Sequence, residues 1–380
     1  MTHPWSWQEL DLKEHTVRAW KQRRGENQSS RPQPMVDAAG PLLATVIPVY
    51  NEAAQIEACL MSLLQQTLAP AHHMILVLDG GSSDGTQALI EGIVNAHQGE
   101  EWPSLVVMKN PHRTVAHARN LALEALPSSV EFLVEMIGHA TVDPDHLEHR
   151  LQAWERCQEQ AGEQLAGVGV RVLPANRSSS RTERWIDGAL ASPLGQSGGQ
   201  FSHFTGHEPT KVPAFVMHRR SSIDAVGGWD PAFMTSQDSD LSMRLLKSGH
   251  ILYRDASVTV HMHKRDTLGN WWKMGHRYGF WRTKVLLKHP RRATWQEFLP
   301  LLGLSLTLML AVVVGVPWWA GLPLCYAGVL GLAGVHRSVA GDEWSAIFGV
   351  PLCLLMLHTS FTLGLVDGLV RRGKLPSDRE

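Results

Sequence analysis

Apolar runs of strand length alternate with polar clusters along the first two thirds of the chain. Leu43–Val49, Met74–Leu78, Leu105–Met108, Glu131–Met136 and Gly167–Leu173 are such runs. Between the first two, Gln55–Gln66 sets Ile56, Leu60, Leu63 and Leu64 at helical spacing. Further helices are predicted over Gln87–His97, Ala116–Leu126 and Pro144–Gln160. Strands alternating with helices predict right-handed βαβ units and a mostly parallel, Rossmann-like α/β sheet. A loop rich in Gly, Ser and His from Ser192 to Pro209 is long for a compact domain, which marks a lid or acceptor-binding loop.

The pattern changes near Glu297. Leu299–Val316 and Trp318–Val335 are 18-residue stretches without a charge, and Ser345–Val366 is a third of 22 residues. A membrane helix needs about 20 apolar residues. The third stretch meets that length, and the first two, with Pro317 and Pro323 near their junction, read as a tight or re-entrant hairpin. Two or three membrane helices are therefore expected over 298–370. Lys284, Lys288, Arg291 and Arg292 precede this region, and Arg371, Arg372 and Lys374 follow it. The excess of cytoplasmic Lys and Arg puts the large N-terminal domain in the cytoplasm. Three crossings would leave the C-terminal cluster outside, so either that bias is overridden or an even number of segments crosses.

Composition narrows the partners. A formal net charge of −1 removes the basic face that nucleic-acid binding requires. Cys59, Cys157, Cys325 and Cys353 are too far apart to suggest a disulfide framework or metal spacing. The first residues lack an apolar core, so no cleaved signal peptide is expected. The expected organisation is a polar arm and linker over 1–40, an α/β domain over 41–265, an interfacial amphipathic segment over 266–297, the apolar helices, and a basic tail over 371–380.

Candidate chemistry lies where the strands end. Leu43–Val49 runs into Tyr50-Asn51-Glu52, and Met74–Leu78 into Asp79-Gly80-Gly81-Ser82-Ser83-Asp84-Gly85-Thr86. Open α/β sheets bind ligands in the crevice at the carboxyl ends of parallel strands. Acceptor groups at two neighbouring tips suit the ribose hydroxyls and base of a nucleotide. Farther on, Gly227-Gly228-Trp229-Asp230 precedes Gln237-Asp238-Ser239-Asp240-Leu241, with Arg244 and Gly249 beyond. An Asp at a helix start serves as a cap as readily as it serves chemistry.

In this order the motifs Pro48-x-Tyr50-Asn51-Glu52, Asp79-Gly80-Gly81-Ser82-x-Asp84-Gly85-Thr86, Ala118-Arg119-Asn120, Gly227-Gly228-Trp229-Asp230 and Gln237-Asp238-x-Asp240-Leu241 resemble the family 2 glycosyltransferases of GT-A fold. The likeness spans roughly residues 42–290. Ser192-Pro193-Leu194-Gly195, the Gln-Asp form of the acidic motif, Arg277-Tyr278-Gly279-x-Trp281 and Lys288-His289-Pro290 resemble the membrane-anchored group typified by the succinoglycan glucosyltransferase ExoA. The resemblance implies a GT-A catalytic domain followed by helical transmembrane segments, with the catalytic domain cytoplasmic. Pro48, Tyr50, Asn51, Glu52, Asp79 and Gly80 would hold the nucleoside of a sugar donor, a UDP-sugar favoured. Arg119 and Asn120 would lie near the donor's phosphates or sugar. Asp238 would be the general base of an inverting displacement onto a lipid-linked saccharide or polyprenyl phosphate. Asp240, Arg277 and Trp281 would support the base or the acceptor.

One departure from the pattern bears on the cofactor. Relatives end the strand before the donor site in Asp-x-Asp or Asp-x-His to hold Mn²⁺ or Mg²⁺, and here Ile137-Gly138-His139 stands there. Isoleucine offers no oxygen to a hard cation. Asp143-Pro144-Asp145 reads instead as a helix start, with Asp143 as N-cap. His139 with His261 and His263 could form a nitrogen-rich site, suited to Mn²⁺ or Zn²⁺. Arg265, Arg277 or Arg282 could otherwise offset the pyrophosphate charge. Met274-x-x-Arg277-Tyr278 keeps only the spacing of the processive synthases' Gln-x-x-Arg-Trp, which favours transfer of one sugar per encounter. Trp271, Trp272 and Trp281 suit either acceptor stacking or the membrane interface. The competing expectation is a non-catalytic glycosyltransferase-like membrane subunit that binds or regulates a partner enzyme.

Overall fold

In the computed structural model, residues 40–175, 180–195, 204–313, 320–341 and 343–371 are described. The N-terminal arm, part of the loop at 192–209, Pro317 and nearly all of the basic tail lie outside the described residues.

β1 (Leu43–Val49), β2 (His73–Asp79), β3 (Ser104–Lys109) and β4 (Phe132–Glu135) form a parallel sheet in the order β3-β2-β1-β4. Helices α1 (Ile56–Leu64), α2 (Thr86–Ala96) and α3 (Val115–Ala125) connect them. β1 and β2 are almost wholly buried, which is why they read as continuous apolar runs rather than alternating ones. Their register pairs Val49 with Asp79, so the two polar clusters leave the sheet side by side.

The second half of the sheet is mixed. After β5 (Ala140–Thr141) and α4 (His146–Ala161), the long β6 (Leu165–Pro174) leads to α5 (Arg181–Ala191) and the short β7 (His207–Pro209). β8 (Met217–Arg219) runs antiparallel between β4 and β6, and β9 (Ile251–Met262) runs parallel to β6. β5 and β7 pair antiparallel with β9. Three-residue strands such as β8 are too short to leave a periodic signature, so the expected parallel sheet becomes mixed here.

Between β8 and β9 lie α6 (Arg220–Ala225) and α7 (Gln237–Lys247). Trp229, Leu241 and Leu245 pack with Ala118, Ala122 and Leu123 of α3 under the sheet, fixing α7 against the nucleotide-binding half. The expected N-cap role of Asp143 is corrected. Helix α4 begins after Asp145, and the Asp143 carboxylate instead lies 3.4 Å from Thr259 Oγ1 and 3.5 Å from His261 Nε2.

Beyond the sheet run α8 (Leu268–Lys288), α9 (Leu299–Val313), α10 (Gly321–Val339) and α11 (Ala346–Val370). Among the described residues, two segments are long and apolar enough to cross a membrane. Trp295–Val313 has mean hydropathy 1.7 and is only 6% buried, while Ala346–Val370 has mean hydropathy 1.8. α11 packs parallel to α8. Trp271 Nε1 donates to the Cys353 carbonyl at 2.9 Å, and Thr283 Oγ1 donates to that of Leu365 at 2.9 Å. Gly275 and Gly279 face Ser360, Phe361 and Leu365, while Gly364 and Gly368 face His276 and Phe280. Small residues let the two backbones approach closely.

Candidate active site

The two strand tips are locked together by their own polar groups. Asp79 is 3% exposed, and its carboxylate accepts from the Gly81 and Ser82 amides, from Ser82 Oγ at 2.6 Å and from Gln87 Nε2 at 2.6 Å. Asn51, at φ 55°, accepts from the Ser83 amide at 2.9 Å and donates its own amide to Ser82 Oγ at 2.9 Å. Asn tolerates this left-handed backbone better than other non-glycine residues. Asp84 accepts from the Ala53 amide and from Thr86 Oγ1. Burial works against its charge, but those hydrogen bonds hold its carboxyl below the usual carboxylate range. Pro48 lies within β1, opposite Leu78. A Cβ on Gly80 would meet the Tyr50 ring at 3.3 Å, so glycine permits that close approach. The Arg113 guanidinium lies 5.4 Å from the centre of the same ring.

Arg119 and Asn120 make their contacts inside the scaffold. Arg119 is 5% exposed, with NH1 3.0 Å from Glu135 Oε1 and its guanidinium 5.6 Å from the centre of the Trp229 ring. His218 Nε2 approaches the same Glu135 oxygen at 3.3 Å. Burial opposes the Glu135 charge, but Arg119 and His218 keep its carboxyl depressed. Asn120 holds both backbone groups of Trp229. The Glu135–His218 pair escaped the sequence reading, although a glutamate inside an apolar strand is itself a signal of a buried partner.

Asp238 and Asp240 share the first turn of α7 and have different surroundings. Asp240 is fully buried. Its Oδ1 lies 2.7 Å from Lys288 Nζ and 2.9 Å from His289 Nε2, and its Oδ2 accepts from Arg244 Nε at 2.8 Å. Burial alone would raise its pKa, but these three partners depress it. Asp240 thus pins α7 to the end of α8, as an orienting residue does. Asp238 is half-buried, accepts only from the Ser239 amide at 2.7 Å, and has a raised pKa, first through burial and then through the Glu135 charge. It follows Ser236, a non-glycine residue at φ 63°, where strain of this kind clusters at functional sites.

Asp238 opens onto a cavity of about 680 Å³, within the usual range of ligand pockets. Ile137 and His139 from the end of the sheet, Arg277, Tyr278 and Arg282 of α8, and Leu357 and Phe361 of α11 line it. Gln237 Oε1 is buried there with no hydrogen-bond partner among the described residues. Trp281 does not line the cavity: it is 1% exposed and packs with Phe233, Phe280 and Val285, so its ring is spent on the hydrophobic core. Arg292 and Glu297 also line the cavity. The sequence hid them, because a charge flanking an apolar run reads as a membrane-end marker.

The three histidines do not gather. His139 Nδ1 lies 2.9 Å from Glu52 Oε1, and His263 Nδ1 lies 3.1 Å from Glu183 Oε1. His261 Nδ1 is 3.2 Å from the Pro174 carbonyl and Nε2 is 3.5 Å from Asp143. β9 ends at Met262, so His261 and His263 are not held on one strand face. Among the described residues no group of three or more His, Cys, Asp or Glu side chains could hold a metal ion. Ile137 offers a divalent cation no ligand, whereas Glu52 and His139, 2.9 Å apart, are groups that could hold one.

Comparison with known proteins agrees with this arrangement. Residues 45–227 match the model of glycosyl transferase family 2. The succinoglycan biosynthesis protein ExoA of Rhizobium meliloti is 27% identical over 320 residues, 80% of this chain and 92% of that protein. A dolichyl N-acetyl-α-D-glucosaminyl phosphate 3-β-D-2,3-diacetamido-2,3-dideoxy-β-D-glucuronosyltransferase of Methanococcus voltae is 22% identical over 330 residues, 87% of this chain and 97% of that enzyme. The mannosyltransferase PcManGT of Pyrobaculum calidifontis, solved with GDP-Man and Mn²⁺, superposes with a TM-score of 0.55 at 17% identity, covering 94% of this chain and 95% of its own. The domain built by these residues is a family 2 glycosyltransferase domain of GT-A fold, in a chain that resembles ExoA.

Proposed function

We propose that this protein is an inverting glycosyltransferase that moves a hexose from a nucleoside-diphosphate donor, a UDP-sugar favoured, to a lipid-linked acceptor at the cytoplasmic face of a membrane. One observation carries this reading. The cavity at Asp238 is lined both by Ile137 and His139, at the end of the sheet, and by apolar side chains of α11, a candidate membrane helix. A lipid-borne acceptor enters along that apolar surface and a nucleotide sugar at the end of the sheet. The names of the relatives support the same direction. ExoA acts in polysaccharide biosynthesis, and the archaeal enzyme's name carries a dolichyl phosphate sugar.

The chemistry needs one displacement. The acceptor hydroxyl oxygen bonds to the anomeric carbon, the bond to the diphosphate oxygen breaks, and the hydroxyl proton passes to Asp238. A carboxylate within hydrogen-bond reach supplies this general-base assistance. Back-side attack inverts the anomeric centre. The strand tips and the Asn51–Ser83 lock hold the nucleoside, while Arg265 provides positive charge toward the departing diphosphate. A divalent cation arriving with the donor would meet Glu52 and His139 of this chain and would supply Lewis-acid charge. Ile137 provides it no ligand.

Incubation of the detergent-purified protein with UDP-, GDP- and dTDP-sugars and native membrane lipids tests this reading. The expected result is transfer to a lipid-extractable product from one donor class. No turnover of any donor would shift the weight to a non-catalytic subunit.

A further inference from the structure

Two arginines share a single carboxylate in the lining of the cavity, and a third, Arg277, lines the same cavity. Arg282 Nε lies 3.3 Å from Glu297 Oε2, and Arg292 NH1 lies 3.4 Å from Glu297 Oε1. Both distances are long for charge-assisted hydrogen bonds, which run about 2.7–2.9 Å. Glu297 Oε1 is also occupied by Thr294 Oγ1 at 2.6 Å. Arg292 is 7% exposed and Glu297 5%. Arg277 Nε, Arg282 NH1 and Arg292 Nε are all buried without a hydrogen-bond partner among the described residues, and all three residues line the same cavity as Asp238. Burial, reinforced by the Arg282 charge, pushes the Arg292 guanidinium down to about 10. The cluster holds more positive charge than Glu297 neutralises, with N–H groups that lack acceptors.

Its place in the fold says which anion belongs there. Arg292 and Glu297 sit in the two short turns joining α8 to α9, and the candidate membrane segment Trp295–Val313 starts in the second. Pro300, Leu357 and Phe361 give the same cavity apolar surface. Asn51, Asp79 and Asp84, which form the nucleotide-side loops, are not among the residues lining this cavity.

We propose that Arg277, Arg282 and Arg292 seat the phosphate of the lipid-linked acceptor, with Glu297 holding two of them apart until that phosphate arrives. The proposal rests on the reading of a lipid-linked acceptor above and adds where its phosphate binds. Guanidinium groups match phosphate oxygens in pairs, and an apolar wall beside them accommodates the lipid chain.

A binding measurement separates the sources of such a phosphate and is independent of turnover. The protein in uncharged dodecyl maltoside micelles is titrated with dodecyl phosphate, with inorganic phosphate and with UDP. The expected result is that dodecyl phosphate binds without displacing UDP, and at least tenfold tighter than inorganic phosphate. Arg282→Gln and Arg292→Gln each weaken dodecyl phosphate at least tenfold and leave UDP affinity unchanged, which also reports that they fold. Glu297→Gln retains or tightens dodecyl phosphate binding. The proposal is overturned if wild-type protein does not bind dodecyl phosphate, if inorganic phosphate binds equally well, or if dodecyl phosphate and UDP compete. A protein that binds dodecyl phosphate as described but transfers no sugar would instead count against the proposed function.

Discussion

Asn120 Nδ2 donates to the Trp229 carbonyl at 2.8 Å while Asn120 Oδ1 accepts from the Trp229 amide at 2.9 Å. One side-chain amide thus satisfies both backbone groups of a residue 109 positions away. The clamp also explains the glycine before Trp229, because a Cβ on Gly228 would lie 2.6 Å from Asn120 Oδ1. Asn120→Ala leaves both Trp229 groups unpaired and should cost about 1–3 kcal/mol in denaturant unfolding. UDP affinity of the folded fraction should be preserved. Lost UDP binding at unchanged stability would return Asn120 to the ligand.

Asp240 is the stronger anchor. Removing its charge leaves Lys288, His289 and Arg244 facing a buried neutral group, so Asp240→Asn should destabilise by about 3–5 kcal/mol at pH 7. Its folded pKa is depressed. Its stabilisation is therefore present above the unfolded value of about 3.9 and is lost as pH falls through the folded value. The gap between wild type and variant should close with acidification, as a pH series of urea midpoints would show.

Asp238 has the opposite sign. Its folded pKa is raised, so ionisation above the ordinary carboxylate range costs the fold some stability. Asp238→Asn should unfold at an equal or higher temperature at pH 7 while losing activity, the usual trade at a functional site. The acid limb of the wild-type kcat profile should lie above the pH of an unperturbed aspartate, because the base works only when ionised.

The α8–α11 seam predicts a contrast between two glycines of one helix. A Cβ at Gly279 would run into the Phe361 carbonyl, whereas one at Gly269 would meet nothing within 4 Å. Gly279→Val should destabilise by about 1–3 kcal/mol or more through overpacking. Gly269→Ala should be neutral or stabilising. Thermal unfolding in detergent would compare them.

Cation dependence follows from Ile137. Turnover should fall less than about tenfold in EDTA, whereas a resident Lewis acid contributes several kcal/mol. Ile137→Asp should gain a response to Mn²⁺ in the same assay. Complete EDTA inactivation of the wild type would show that Glu52 and His139 suffice to recruit a cation.

The sequence made the first half of the fold legible because β1, β2 and β4 are buried on both faces and the strands are separated by helices of regular period. The strand-tip loops and the start of α7 were legible as places for the same reason: they sit where regular elements begin or stop. Trp281 misled because an aromatic in an amphipathic segment looks the same whether it faces ligand, lipid or core. Only the packing of Phe233 and Phe280 around it decides. The histidine trio misled because residues two apart share a face only while the strand continues, and β9 ends at Met262. Glu297 was hidden because its two partners come from α8 and from a turn with no periodicity of its own.

The most direct test of the central claim is transfer of a labelled sugar to a lipid-linked acceptor by wild type and Asp238→Asn, with the anomeric configuration of the product read by NMR. The account predicts a product of inverted configuration, with a rate falling about 10²- to 10⁴-fold in the variant. A product of retained configuration, or a variant as active as wild type, would contradict it.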